Sequence, residues 1–180
     1  MKQDQIPNQA VIETDRLILR PLRLSDSGLL DLYAGDARVA KMTSRIPHPL
    51  PPGMSEGFIK TARMESREED VWALDGLAAG LSELVGVVGL KPMDRAQSEI
   101  GYWLAPAFWH LGLAREAVSA LLEANPQDSD TVFGTVFQDN PASARVLTHC
   151  GFTYIGDAET HSVARDATVP TWTYHKRLKE

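Results

Sequence analysis

Trp103-Leu104-Ala105-Pro106-Ala107-Phe108-Trp109-His110-Leu111-Gly112-Leu113-Ala114-Arg115-Glu116-Ala117 reads as a strand end, a short loop and a helix start. The first turn of a helix presents N–H groups with no intrahelical acceptor, at the positive end of the macrodipole. Such a turn holds a phosphate or pyrophosphate through backbone alone. Gly112 and Ala114 are small enough for a ligand to come close to the main chain. A plain strand-to-helix turn has the same features, so the stretch alone does not choose between them. Glu99 can act as a general base through a water. On a strand it alternates with Gly101 and Trp103, which puts the three on one face unless a bulge intervenes. The other reading is an exposed glutamate paired with a cation. Ser143 falls on one helical stripe with Val146, Leu147 and Cys150, so its hydroxyl points inward and needs a partner. It can act as an acid or a hydrogen-bond donor, or be a small residue that lets helices pack closely.

These residues need elements to position them. Arg16–Leu24 alternates as a first strand, and 26–38 has helical spacing. Four prolines and Gly53 make 46–53 a stiff loop, after which Ser55 caps a helix to about Arg67. Strands are expected over 71–74, 83–90 and 98–104. The clearest helix runs over 112–125, with Ala117, Val118, Leu121 and Leu122 on one stripe. Thr131–Phe137 is apolar on both faces, as a central strand is. Asn140-Pro141 opens a last helix and Gly151 ends it. Strands over 152–156 and 168–178 close the chain. The alternation predicts an α/β fold with a mixed sheet and packed helices.

In this order the segments resemble the GCN5-related N-acetyltransferase (GNAT) superfamily, and most of all its branch that acetylates ribosomal-protein N-termini. Glu13–Arg20 is similar to the opening strand of that branch. Ile100–Leu104 with the Trp109–Ala117 turn is similar to its pantetheine strand and pyrophosphate loop. Asp139-Asn140-Pro141-Ala142-Ser143 through Gly151-Phe152 is similar to its last helix. The resemblance implies a twisted mixed sheet that splays where strand 98–104 meets strand 131–137, with helices on both faces and acyl-CoA in the cleft. It implies that backbone groups of Trp103 and Leu104 bond the pantetheine arm. Amides of His110, Leu111, Gly112, Leu113, Ala114 and Arg115 would hold the pyrophosphate, and Asn140 would reach the cofactor from the last helix. His110 stands where the family commonly has Gly, which suggests a negative φ there. Leu147 stands where many members have a general-acid Tyr.

The implied reaction transfers acetyl from acetyl-CoA to an amine: a protein N-terminus, an amino acid or a small amine. A non-catalytic acyl-CoA-binding module of the same fold is the alternative, and the missing Tyr favours it. The rest of the composition narrows the classes. The 180 residues suit a single domain, with 1–12 as a flexible start, acting as monomer or homodimer. A net charge of -6 without a basic cluster argues against nucleic acid as partner. No apolar run reaches the length of a membrane span, and the first residues lack the apolar core of a signal peptide. Cys150 is the single cysteine, which fits a reducing, cytoplasmic setting. His48, His110, His149, His161 and His175 show no metal-ligand spacing, so no metal is expected.

Overall fold

The computed structural model describes residues 5–180. Its strands are β1 (Ile12–Glu13), β2 (Ile18–Pro21), β3 (Asp70–Asp75), β4 (Gly86–Met93), β5 (Gln97–Leu104), β6 (Thr131–Phe137), β7 (Thr153–Ser162) and β8 (Ala167–Arg177). They form one sheet in the order β1-β2-β3-β4-β5-β6-β8-β7. Only the β5–β6 pair is parallel. A parallel neighbour requires a crossover, and α4 (Leu113–Ala124) supplies it. Helices α1 (Ser27–Ala34), α2 (Ala37–Ala40) and α3 (Met54–Ala62) separate β2 from β3, and α5 (Pro141–His149) follows β6.

Side-chain alternation divides the core between the two faces. On one, Trp72, Leu74, Val88 and Ile100 pack with Leu113 and Leu121 of α4 and Leu147 of α5. On the other, Val71, Ala73 and Val87 pack with Leu30 of α1 and Ile59 of α3. This is the mixed α/β sheet that the strand and helix pattern predicts, with the helices on both faces that the resemblance implies.

Several boundaries differ for local reasons. The first strand is shorter than 16–24. Thr14 N–H donates to Leu17 O (2.8 Å) in a turn, and Leu24–Asp26 curls into a 3-10 turn. The helix expected over 26–38 breaks at Gly35, and Asp36 starts α2 by accepting from Arg38 N–H. α3 starts at Met54, after the left-handed Gly53, and stops at Ala62 rather than Arg67. Arg67 instead pairs with Asp70 at 2.8 Å and leads the chain into β3. β7 runs on to Ser162 through a register shift at Gly156, so His161 lies within a strand, opposite Thr168. Of the start expected to be flexible, residues 1–4 lie outside the described residues. Within 5–12, Gln9 Nε2 donates to Val71 O (2.8 Å) and Ala10 O accepts from Trp72 Nε1 (2.7 Å), which ties the segment to β3.

Candidate active site

The parallel pairing of β5 with β6 runs only from Gln97↔Thr131 to Ile100↔Gly134. Beyond it, β5 stays bonded to β4 as far as Leu104↔Gly86, and β6 to β8 as far as Phe137↔Thr171. The sheet is therefore open between Gly101–Leu104 and Thr135–Phe137. End bonds show which backbone groups face the opening. Ala105 N–H donates to Val85 O (2.9 Å), so odd-numbered residues of β5 bond β4 and even-numbered ones face β6. Leu178 N–H donates to Asp130 O (2.8 Å) and Gln138 N–H to Pro170 O (3.0 Å), so odd-numbered residues of β6 face β5.

Tyr102 and Leu104 thus turn their N–H and C=O groups into the gap, and Thr135 does so from the other lip. This corrects one expectation. The backbone of Trp103 is committed to its partner Val87, and it is the backbone of Tyr102 that faces the gap. Leu104 does face the gap, with its carbonyl already accepting from Trp109 Nε1 at 2.8 Å.

The β5–α4 turn lies at the mouth of the gap. Gly112 is left-handed at φ 77 and carries no side-chain cap, which leaves the N–H groups of Leu113, Ala114 and Arg115 without intrahelical acceptors. Glu116 N–H is the first to bond back, to Gly112 O. His110 is left-handed as well, at φ 64, which corrects the negative φ expected from the loss of glycine. The loop keeps a conformation that suits glycine and bears a cost of roughly 1–2 kcal/mol for it. Anchors hold it there. Arg38 lies over the Trp109 ring, Tyr33 meets Phe108 edge-on, and Arg16 Nη1 donates to Leu111 O at 2.8 Å.

Glu116 complements the helix dipole and also ties α4 to the β1–β2 turn. Its carboxylate accepts from Thr14 Oγ1 (2.7 Å), Arg16 N–H (3.0 Å) and Arg16 Nε (2.9 Å). Burial pushes this carboxyl up, but the three donors outweigh it and hold it below its usual range.

Ser143 does sit inward on α5, and its partner comes from the chain itself. Ser143 Oγ donates to Tyr102 Oη (3.0 Å), while Tyr102 Oη donates to Ser143 O (2.9 Å). The hydroxyl hydrogen reserved for a cofactor sulfur is already used. Burial pushes the Tyr102 phenol well above its usual range, so it stays neutral and serves as donor and acceptor only. The pair joins the free length of β5 to the first turn of α5. Tyr102→Phe is expected to cost about 1–2 kcal/mol, as a buried hydrogen-bond pair does, and to lower Tm by a few degrees in a thermal melt. Asn140 caps α5, its Oδ1 accepting from Ser143 N–H at 3.4 Å. Leu147 is buried against Gly134 and Ile100, with no acid in its place.

Glu99, Gly101 and Trp103 share a face without a bulge, and Glu99 is exposed there beside Phe133 and Lys91. At the far end of this face the β7–β8 turn closes over β6. Arg165 donates to both Asp139 oxygens (2.6 and 3.0 Å) and to Lys41 O (2.9 Å), and lies over the Phe137 ring. Arg165, Asp139 and Lys41 line a pocket of about 510 Å³ with Met42 and Ala164. Neither Arg165 nor Asp139 stands out in the sequence, because they are far apart and each looks like a surface charge. Among the described residues no group of three or more His, Cys, Asp or Glu can hold a metal ion, and no helix is long and apolar enough to cross a membrane.

Comparison with known proteins agrees with this geometry. An uncharacterized N-acetyltransferase p20 of Bacillus licheniformis is 24% identical over 171 residues, spanning 93% of this chain and 96% of that protein. A GNAT-family acetyltransferase from Bacillus anthracis superposes with a TM-score of 0.81 at 19% identity, covering 95% of this chain and 100% of the other. A ribosomal L7/L12 alpha-N-protein acetyltransferase in complex with coenzyme A gives 0.79 at 17% identity, over 93% and 98% of the two chains. At such identities the structures share the fold. The model of the acetyltransferase (GNAT) domain matches residues 16–153, which takes in the split sheet, the α4 turn and α5, and the chain belongs to that family.

Proposed function

We propose that this acetyltransferase moves the acetyl group of acetyl-CoA onto a primary amine by direct attack, with both substrates bound at once. The observation that carries the reading is the gap between β5 and β6, which leaves the backbone of Tyr102 and Thr135 and the N–H of Leu104 without a strand partner beside an uncapped helix start. An extended pantetheine arm adds to such a strand edge through its amides. The pyrophosphate then falls on the N–H groups from His110 to Arg115, where the dipole favours negative charge. Asn140 follows β6 as the N-cap of α5, its Oδ1 committed to Ser143 N–H. These are the roles proposed for Leu104 and the α4 turn, with Tyr102 in place of Trp103.

Past Ile100, Tyr102 N–H is the first β5 donor that faces the gap. The acetyl carbonyl placed there would develop its oxyanion against a fixed amide. The amine must shed a proton before it attacks. An α-amino group, at about 8, sheds it readily, and a lysine amine, at about 10.4, does not. A carboxylate on the Glu99 face serves as that base. The ring of acceptor-facing parts is the proline loop 46–53, α3 and the β7–β8 turn. A protein N-terminus, an amino acid and a small amine all fit this chemistry. The same reading carries a cytoplasmic setting and a monomer or homodimer.

The test is a melt with and without acetyl-CoA, followed by thiol release with a panel of amines. Acetyl-CoA at one hundred times its Kd should add about 2.7 kcal/mol, a rise of roughly 5–10 °C for a chain this size. No rise at millimolar acetyl-CoA or CoA would overturn the reading.

A further inference from the structure

We propose that Glu69, ahead of Glu99, receives the ammonium group of the acceptor and takes its first proton. The proposal rests on the acetyltransferase reading above. Glu69 immediately precedes β3, and continuing the β3–β4 register sets it opposite Lys91. Its side chain lies on the same sheet face as Glu99. Gly89 of β4 pairs with Gly101 of β5, so two residues without side chains adjoin on this face. A β-carbon built at Gly89 would collide with Glu69 Oε1, so the carboxylate lies directly over that glycine. A β-carbon at Gly101 would meet nothing within 4 Å, so the space beside the carboxylate is open. Gly101 is the first residue of β5 past the last paired residue, Ile100. The carboxylate therefore overlooks the point where the sheet splits, one strand away from it.

The two oxygens are treated differently. Oε2 accepts from Arg45 Nη2 at 2.8 Å, which fixes the group and ties it to the loop before the proline segment. Among the described residues no donor is recorded for Oε1, the oxygen over Gly89. The glutamate side chain is 18% exposed, whereas that of Arg45 is 74% exposed and so largely screened. On this face Lys91 of β4 and Glu99 of β5 adjoin it in the register, His175 of β8 stands against Phe133, and the Arg165–Asp139 pair lies at the far end. Glu99 sits one residue on the closed side of the split and is exposed, so water competes for it more than for Glu69.

The chemistry balances as follows. An N–H proton of the ammonium passes to Glu69 Oε1. The freed nitrogen pair attacks the thioester carbon, forming C–N while the carbonyl pair moves to oxygen. Collapse breaks C–S, and a second nitrogen proton goes to the thiolate. The amide and CoA thiol leave, and Glu69 returns its proton to water.

Thiol release should be measured for the parent, Glu69→Gln, Glu99→Gln and Gly89→Ala with an alanine-initiated peptide, free alanine and spermidine, between pH 6 and 9. Glu69→Gln should lower kcat/KM for the reacting amine roughly 10- to 1,000-fold at pH 7, with the loss shrinking as pH rises. Gly89→Ala should go the same way, because its methyl displaces a flexible side-chain end and leaves the backbone alone. Both should keep the acetyl-CoA thermal shift and the parent Tm within a few degrees. Glu69→Gln with a parent-like profile, or a larger loss in Glu99→Gln, overturns the proposal. So does a parent that binds acetyl-CoA yet acetylates none of these amines. Loss of the acetyl-CoA shift in the parent would instead overturn the acetyltransferase reading itself.

Discussion

Arg20→Leu is expected to destabilise the fold by about 3–5 kcal/mol, the usual cost of leaving buried charge without its partner. For a chain of this length that is a fall in Tm of roughly 6–20 °C. Arg20 is 2% exposed in the middle of β2. Its Nε donates to Asp75 Oδ2, its Nη1 to Asp26 Oδ2 and Pro21 O, and its Nη2 to Asp26 Oδ1 and Glu83 O. Those contacts use all five guanidinium donors. Two carboxylates converge on one guanidinium, so deleting the cation leaves like charges facing each other, with the side chain of Asp26 2% exposed and that of Asp75 11%.

Arg20→Leu with Asp26→Leu should lose less than the two single losses added together, because each single variant strands the other's charge. A parent-like Tm for Arg20→Leu at pH 7 would mean the triad contributes nothing.

Much of this molecule is legible in the sequence, and the illegible parts have physical causes. β6 spans Thr131–Phe137 as its two-faced apolar pattern predicts, and α4 and α5 begin and end at their glycine, asparagine and proline signals. Those signals are local. Arg20 is harder, since an alternating strand with a buried cation looks the same as one with an exposed cation until Asp26 and Asp75 come from elsewhere in the chain. The partner of Ser143 is hidden for a related reason. The helical stripe shows that the hydroxyl is inward, but Tyr102 comes from another element through the sheet register. The sequence does not show which residues of a strand bond which neighbour, so it does not separate Tyr102 from Trp103 as the gap-facing backbone. Glu69 lies in Arg67-Glu68-Glu69-Asp70, a charged run that reads as a solvated turn. Only the bare surface of Gly89 and Gly101 makes it more than that.

Gly112→Asp is expected to weaken acetyl-CoA binding about 100-fold, which titration calorimetry or the acetyl-CoA thermal shift can measure. Gly112 is the N-cap of α4 at φ 77, a region that costs most side chains roughly 1–2 kcal/mol and Asp somewhat less. The larger effect is charge. A carboxylate roughly 4 Å from a phosphate repels it by about 1–4 kcal/mol, depending on how much water intervenes. It would also cap the free N–H groups of α4, which are the ones the pyrophosphate needs. Folding should be spared, because Arg16 Nη2 lies 3.6 Å from where the new Cβ would stand and can pair with the aspartate. Gly112→Asn separates the contributions. It tolerates the same backbone and caps the same amides but brings no charge, so it should lose only several-fold. The difference between Asp and Asn should narrow as salt rises from 0.05 to 0.5 M or so, because exposed charges are screened. Equal affinities for Gly, Asn and Asp at low salt would place the pyrophosphate away from the α4 turn.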